Sequence, residues 1–245
     1  MTEKENKMSK GDDRGTVEFE TDNKVLKVQQ FIFNNSKAIS YSFLGIIVIV
    51  ALIFVVKNTV QKNTDEGMQK AIVALDRILP YFDAPDYKKA LFGDSSKTIR
   101  GDRVIGLLEI VEEFGSTKQG KVAALYAGNS YLAINKAEDA IEYFDIALDS
   151  PSKIVLEGAY AGLGACNEIV GEFDEAASYY IKSSEIAITE SSKARYNYYA
   201  AKNYEKLGNK DAAEKIYKEI IAKNKYSEFS NFSKAGLVRL GMKID

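Results

Sequence analysis

A chain of 245 residues with no histidine, a single cysteine and a formal charge of −2 excludes several functions at the outset. Without histidine the commonest general base, the commonest zinc ligand and the familiar catalytic triads are missing, and Cys166 alone can form no intrachain disulfide. A charge so near neutral, with no basic cluster interleaved with aromatics, offers no grip on nucleic acid.

Residues 1–22 mix acids with lysines and arginines, and residues 1–15 hold no large apolar side chain apart from two methionines. Such a segment cannot bury enough surface to offset the entropy of ordering, so a disordered polar leader is expected. From Lys24 the pattern changes. Val25, Val28 and Ile32 share a helical face that Phe31 widens, with Lys24, Lys27 and Gln29 on the other sides. Residues 23–37 are expected to form an interfacial amphipathic helix broken at Asn34-Asn35; the alternative is an extension of the helix that follows.

Residues 38–56 read AISYSFLGIIVIVALIFVV, without a charge and flanked by Lys37 and Lys57. At about 1.5 Å per helical residue the run reaches across a hydrocarbon core of roughly 30 Å, which predicts a transmembrane helix over residues 38–57. A core helix keeps a polar stripe, and a cleaved signal peptide starts from a short basic leader, so a retained anchor is the expectation. Orientation is not set by charge. Lys24, Lys27 and Lys37 precede the run, and Lys57, Lys62, Lys70 and Arg77 follow it.

Residues 58–118 are expected to supply a connector and a degenerate leading helical unit. Met68, Ile72, Leu75 and Leu79 recur at helical spacing, with Pro80 as the expected stop. Turn formers between Asp83 and Ser96 then surround a short apolar patch at Tyr87, Ala90, Leu91 and Phe92, which predicts a half-ordered connector. Asp102 as N-cap, Val104, Leu107, Leu108, Val111 and Phe114 as buried face and Gly115 as C-terminal stop predict a further helix.

From Lys121 the chain repeats itself. Gly128, Ala140 and Phe144 align with Gly164, Ala176 and Tyr180 at a shift of 36, and Gly171, Ala176 and Tyr180 align with Gly208, Ala213 and Tyr217 at a shift of 37. Three helix-turn-helix units are expected over residues 119–225, and Phe229, Phe232, Leu237 and Leu240 mark a capping helix within residues 226–245. These motifs resemble the tetratricopeptide repeat (TPR), in which small residues let two helices approach and aromatics fill the gap to the next hairpin. Tyr160 and Leu163-Gly164 match the front of the motif, while Asn167, Ala201 and Pro151 depart from it. The expected fold is all-α: a single N-terminal transmembrane helix, then a TPR-like α-solenoid of stacked hairpins with a C-terminal capping helix.

The layout, with the run KVQQFIFNNSKAI before the span and residues 115–144 as the first repeat, resembles bacterial membrane-anchored TPR proteins grouped as ancillary subunits of the Sec translocon. That resemblance implies a single-pass inner-membrane protein with a cytoplasmic N-terminus. Its periplasmic repeat domain would engage the translocon or emerging and periplasmic client proteins.

No catalytic, cofactor-binding or metal-binding residues are expected. Cys166 falls among aligned small and aromatic positions and reads as core, and Glu112-Glu113 and Asp174-Glu175 read as solvated charge. The candidate partner groove consists of Val122, Leu125, Asn129 and Leu132 in the first copy and Arg195, Tyr198, Lys202 and Lys206 in the third. Graded from apolar to basic, it would take an unfolded or helical segment of a partner; the plainer alternative is that these residues cover the next helix or face solvent. The carboxylate clamp of some TPR domains is missing, because Leu125 and Gly162 stand at its lysine and asparagine positions. The expected function is a non-enzymatic, membrane-anchored scaffold for protein partners, with no nucleic acid and no small-molecule substrate. The alternative is an organising subunit of another envelope complex (division, motility or photosynthetic), held by its transmembrane helix.

Overall fold

The computed structural model describes residues 26–243, without the side chains of residues 38–48 and 56–64. The chain divides into two compact units, Met1–Lys62 and Asn63–Asp245. The predicted polar leader lies outside the described residues.

In the first unit a helix over residues 26–34 (α1) is followed by a turn at Asn35, after which α2 (Ser36–Asp83) begins and runs on into the second unit. The break falls at the predicted polar pair. Asn35 donates both its backbone N–H (3.0 Å) and its side-chain amide (2.9 Å) to the carbonyl of Phe31, so the helix end is capped by its own successor. Leu26, Val28, Phe31, Ile32 and Phe33 are all exposed. The run expected to span a bilayer is helical as part of α2, but the side chains of residues 38–48 and 56 lie outside the described residues. Among the described residues no helix is long and apolar enough to cross a membrane.

The second unit corrects three local expectations. Pro80 does not stop α2, which continues to Asp83. A proline removes one N–H and one i→i−4 bond, and three residues from a helix end that loss is offset by the burial of Leu75 and Ile78 and by the Ala84 N–H bonding the Pro80 carbonyl at 3.1 Å. The connector is ordered rather than half-ordered: α3 (Tyr87–Phe92) starts from Asp86, whose carboxylate accepts the Lys89 N–H, and leads into β1 (Asp94–Ile99) and β2 (Asp102–Val104). Asp102 is therefore a strand residue, not an N-cap, and α4 (Leu107–Phe114) begins only after Gly106.

The hairpin arises at Arg100-Gly101, where both residues have positive φ (54° and 88°) and Ile99 pairs with Asp102 across the turn. A two-residue turn of this hand matches the twist of paired strands. The fold is mostly helical, with this one small antiparallel sheet among the described residues as the exception to all-α.

Seven helices follow: α5 (Lys118–Ala133), α6 (Ala137–Leu148), α7 (Lys153–Val170), α8 (Phe173–Ile186), α9 (Glu190–Lys206), α10 (Lys210–Lys223) and α11 (Glu228–Arg239). Each packs on the next, the arrangement of an α-solenoid. Side chains of Thr117, Thr189, Asn209 and Ser227 cap α5, α9, α10 and α11 by accepting a backbone N–H three residues on. The core runs from Leu75 and Ile78 on α2 through Leu107, Ile110, Phe144 and Leu163 to Cys166, and smaller clusters sit on α8, α9, α10 and α11.

The repeat seen in the sequence is a packing rule. A methyl added to Gly128 would stand 2.7 Å from the ring of Phe144, and one added to Gly164 would stand 2.9 Å from the ring of Tyr180. Each aromatic thus lies on bare backbone of its own hairpin. The turns inside the hairpins follow the same shifts, with Asn135 (φ 60°), Gly171 (φ 90°) and Gly208 (φ 76°) in left-handed conformations. Nothing crowds the last two, so backbone conformation alone selects glycine there. Gly171→Ala and Gly208→Ala should each lower stability by about 1 kcal/mol in urea titrations, although the added methyl touches nothing. Gly208→Asn should cost less than Gly208→Ala, because asparagine already serves at position 135.

Candidate protein-interaction surface

The structure separates the two halves of the predicted groove. Val122, Leu125 and Leu132 on α5 are half-buried against the large core, and the δ-carbons of Leu125 cover Gly158 of α7 at 3.1 Å from where a Cβ would stand. Asn129, on the same helix, is also half-buried. Leu125 thus covers the neighbouring helix.

The third-copy residues, by contrast, share one patch on α9. Tyr198 lies within 6.0 Å, centroid to centroid, of Tyr199, Tyr217, Phe229 and Phe232, and Phe232 is 44% exposed. One turn before it, Arg195 stacks on the Tyr196 ring at 4.9 Å and donates an Nη2 hydrogen to the tyrosine oxygen at 3.3 Å. Its buried Nε has no partner among the described residues. Lys202 is half-buried with no hydrogen bond or ion pair among the described residues, whereas Lys206 is engaged with Glu168. The result is an aromatic surface carrying Arg195, stacked on a tyrosine ring, and Lys202, whose charge acts on Glu168 and Glu205 without a direct ion pair among the described residues.

Sequence reasoning missed the polar clasps behind this patch. Glu168 on α7 receives the Tyr180 hydroxyl (3.3 Å), the Asn203 amide (3.3 Å) and the Lys206 ammonium (2.8 Å). One repeat on, Glu205 on α9 receives the Tyr217 hydroxyl (2.9 Å) and a bidentate guanidinium from Arg239 on α11 (2.9 and 3.0 Å). In each case a first-helix glutamate joins the tyrosine of its own hairpin to a cation of the next. The first hairpin has Leu132 at the glutamate position and Phe144 at the tyrosine position, so both polar groups are lost together. That paired change, from Leu132 and Phe144 to Glu168 and Tyr180, was the available sequence signal.

The clasps set the titration of these groups. Burial works to raise the Glu168 carboxyl, but the hydrogen bonds from Lys206 and Asn203 and the nearby lysine charge outweigh it and hold it below its ordinary value. Glu205 is lowered chiefly by the hydrogen bonds from Arg239, against burial, with help from Tyr217. Burial, then the neighbouring carboxylates, push the Tyr180 and Tyr217 hydroxyls well above the usual phenol range. Burial also pushes the Cys166 thiol up to about 12, so it is neutral and inert at ordinary pH.

A second concavity, of about 760 Å³, lies between α2, the hairpin and α4. Val73, Ile105 and Phe114 give it an apolar lining, and two ion pairs fasten the hairpin beside it: Arg77 with Asp102 at 2.9 Å, and Arg103 with Glu109. Asp94 anchors the other end of the hairpin. The hydroxyls of Ser96 and Tyr81 hold its carboxyl well below the usual range. Among the described residues no group of histidine, cysteine, aspartate and glutamate is placed to hold a metal ion.

No protein-family model matches the chain, and no curated protein matches it either.

Because both clasp carboxyls titrate below their ordinary value in the fold, the stability they supply is present above about pH 4.5 and is lost as pH falls through their folded values. Glu205→Gln should cost about 1–2 kcal/mol at neutral pH and flatten the acid limb of the stability curve measured by chemical denaturation at a series of pH values. A thiol reagent should leave Cys166 unmodified in the folded chain and react at once in denaturant, since the side chain is fully buried.

Proposed function

We propose that this chain is a non-enzymatic, membrane-anchored scaffold whose stacked hairpins bind other polypeptides. The observation that carries the proposal is the α9 patch, where Tyr198 and the exposed Phe232 sit beside Arg195 and Lys202 on a repeat framework. Aromatic anchors flanked by arginine are the composition of protein contact sites. A surface of this kind on a stack of helical hairpins suits polypeptide recognition.

The anchor in this proposal is the uncharged run of residues 38–56, whose length suits a bilayer core. The likeness of the layout to ancillary Sec-translocon subunits supports the rest: a bacterial inner-membrane location, a periplasmic repeat domain, and the translocon or its clients as partners.

Two measurements test the proposal on the full chain in bacterial cells. Lys225→Cys, on the exposed loop before α11, should be labelled by a membrane-impermeant maleimide from the periplasmic side, and the protein should leave the membrane fraction only with detergent. A photo-crosslinking residue in place of Phe232 should form adducts with translocon subunits or translocating precursors. Recovery in the aqueous fraction after lysis would refute the anchor. Adducts confined to another envelope assembly would replace the Sec partner with an organising role.

A further inference from the structure

The three joints between successive hairpins follow one plan, and the middle joint departs from it. At the first joint the ring of Phe144 on α6 presses on the backbone of α7 at Gly162, leaving no room for even a methyl group. At the last, Tyr217 on α10 does the same to α11 at Gly236, where an added Cβ would stand 2.5 Å from the ring. The position between these glycines, 37 residues from each, is Tyr199. Tyr180 therefore meets a second ring, with centroids 5.3 Å apart and planes tilted by 51°.

The substitution is visible in the packing around it. α5 lies against α7 and α9 against α11, but the backbones of α7 and α9 approach less closely while α8 and α9 remain in close contact. The large core ends at Cys166 on α7, and a separate cluster of Ala176, Ala177, Tyr180, Tyr196 and Ala200 begins beyond it, to which α7 contributes Ala161. Among the described residues the hydrogen bonds that cross from α7 to α9 are those of Asn203 and Lys206 to Glu168, and Glu157 at the start of α7 accepts the Ile188 N–H just ahead of α9 at 3.0 Å.

We propose that the α7–α9 edge is the flexing joint of the solenoid, with the α8–α9 contact as its spine and the Glu168 clasp as its catch. A ring seated on bare backbone has one close-packed arrangement, and sliding it opens a void. A ring on a ring, bridged by polar side chains, can part at lower cost, because little apolar surface is exposed and water replaces the hydrogen bonds. Opening this edge changes the curvature of the face that carries Tyr198 and Lys202, a hinge motion confined to one joint.

The test uses the full chain in detergent, with Cys166→Ala as background and nitroxide pairs on the exposed first residues of the helices. Lys153/Glu190 spans the middle joint, and Lys118/Lys153 and Glu190/Glu228 span the glycine-packed ones. Pulsed electron–electron distance measurements should give a distribution for Lys153/Glu190 about twice as wide as either control. Tyr199→Gly should narrow it to the control width, and Glu168→Gln should widen it further while leaving both controls unchanged. Equal widths for all three pairs in the parent chain would overturn the proposal. So would indifference of the middle pair to Glu168→Gln, a readout that holds even where Tyr199→Gly fails to fold.

Discussion

The second unit depends on one steric requirement: an aromatic ring on the second helix of each hairpin must find a place with no side chain of consequence opposite it. Phe144 finds Gly128 behind and Gly162 ahead, and Tyr217 finds Gly236 ahead. Helix spacing, and with it the burial of alanine rows such as Ala123, Ala127, Ala140 and Ala147, follows from that fit. Interiors packed this closely do not deform gradually, so a change in one ring's opposite number alters a whole joint.

The clasps are the second layer of the same design. When the ring is a tyrosine its hydroxyl is carried into a half-buried place and needs an acceptor, which Glu168 and Glu205 supply. A glutamate so placed needs a cation in turn, and the next hairpin provides Lys206 or Arg239. When the ring is phenylalanine the chain of requirements never starts, and Leu132 suffices. The polar network is thus a consequence of one oxygen atom per repeat.

Much of the repeat region was legible in the sequence because its determinants are local and periodic. The turn positions 135, 171 and 208, the small-to-aromatic register and the final helix can all be read by sliding the chain against itself, and α11 (Glu228–Arg239) falls inside the predicted capping segment. The leading unit was not legible in the same way. Arg100-Gly101 lacks the asparagine or aspartate that usually announces such a turn, and Asp102 ahead of an apolar run looks like an N-cap until its pairing with Ile99 is known. Pro80 misled for a related reason: its cost is local, whereas the burial that outweighs it comes from elements dozens of residues away. Of the candidate groove, the α9 residues share a patch but Leu125 on α5 covers Gly158 of α7, a distinction that depends on how closely α5 and α7 approach.

The alternation of glycine and tyrosine at positions 162, 199 and 236 has a consequence for how such a chain can change over time. Units of a solenoid are often treated as interchangeable bricks, but here each carries a keyed face. A duplicate of the first hairpin placed after the second would bring Leu132 and Phe144 where a charged partner awaits, stranding a lysine, and would set the Phe144 ring against Tyr199 instead of a glycine. The order of the hairpins is therefore written into their contact surfaces, so growth by shuffling would be confined to units bearing matching keys.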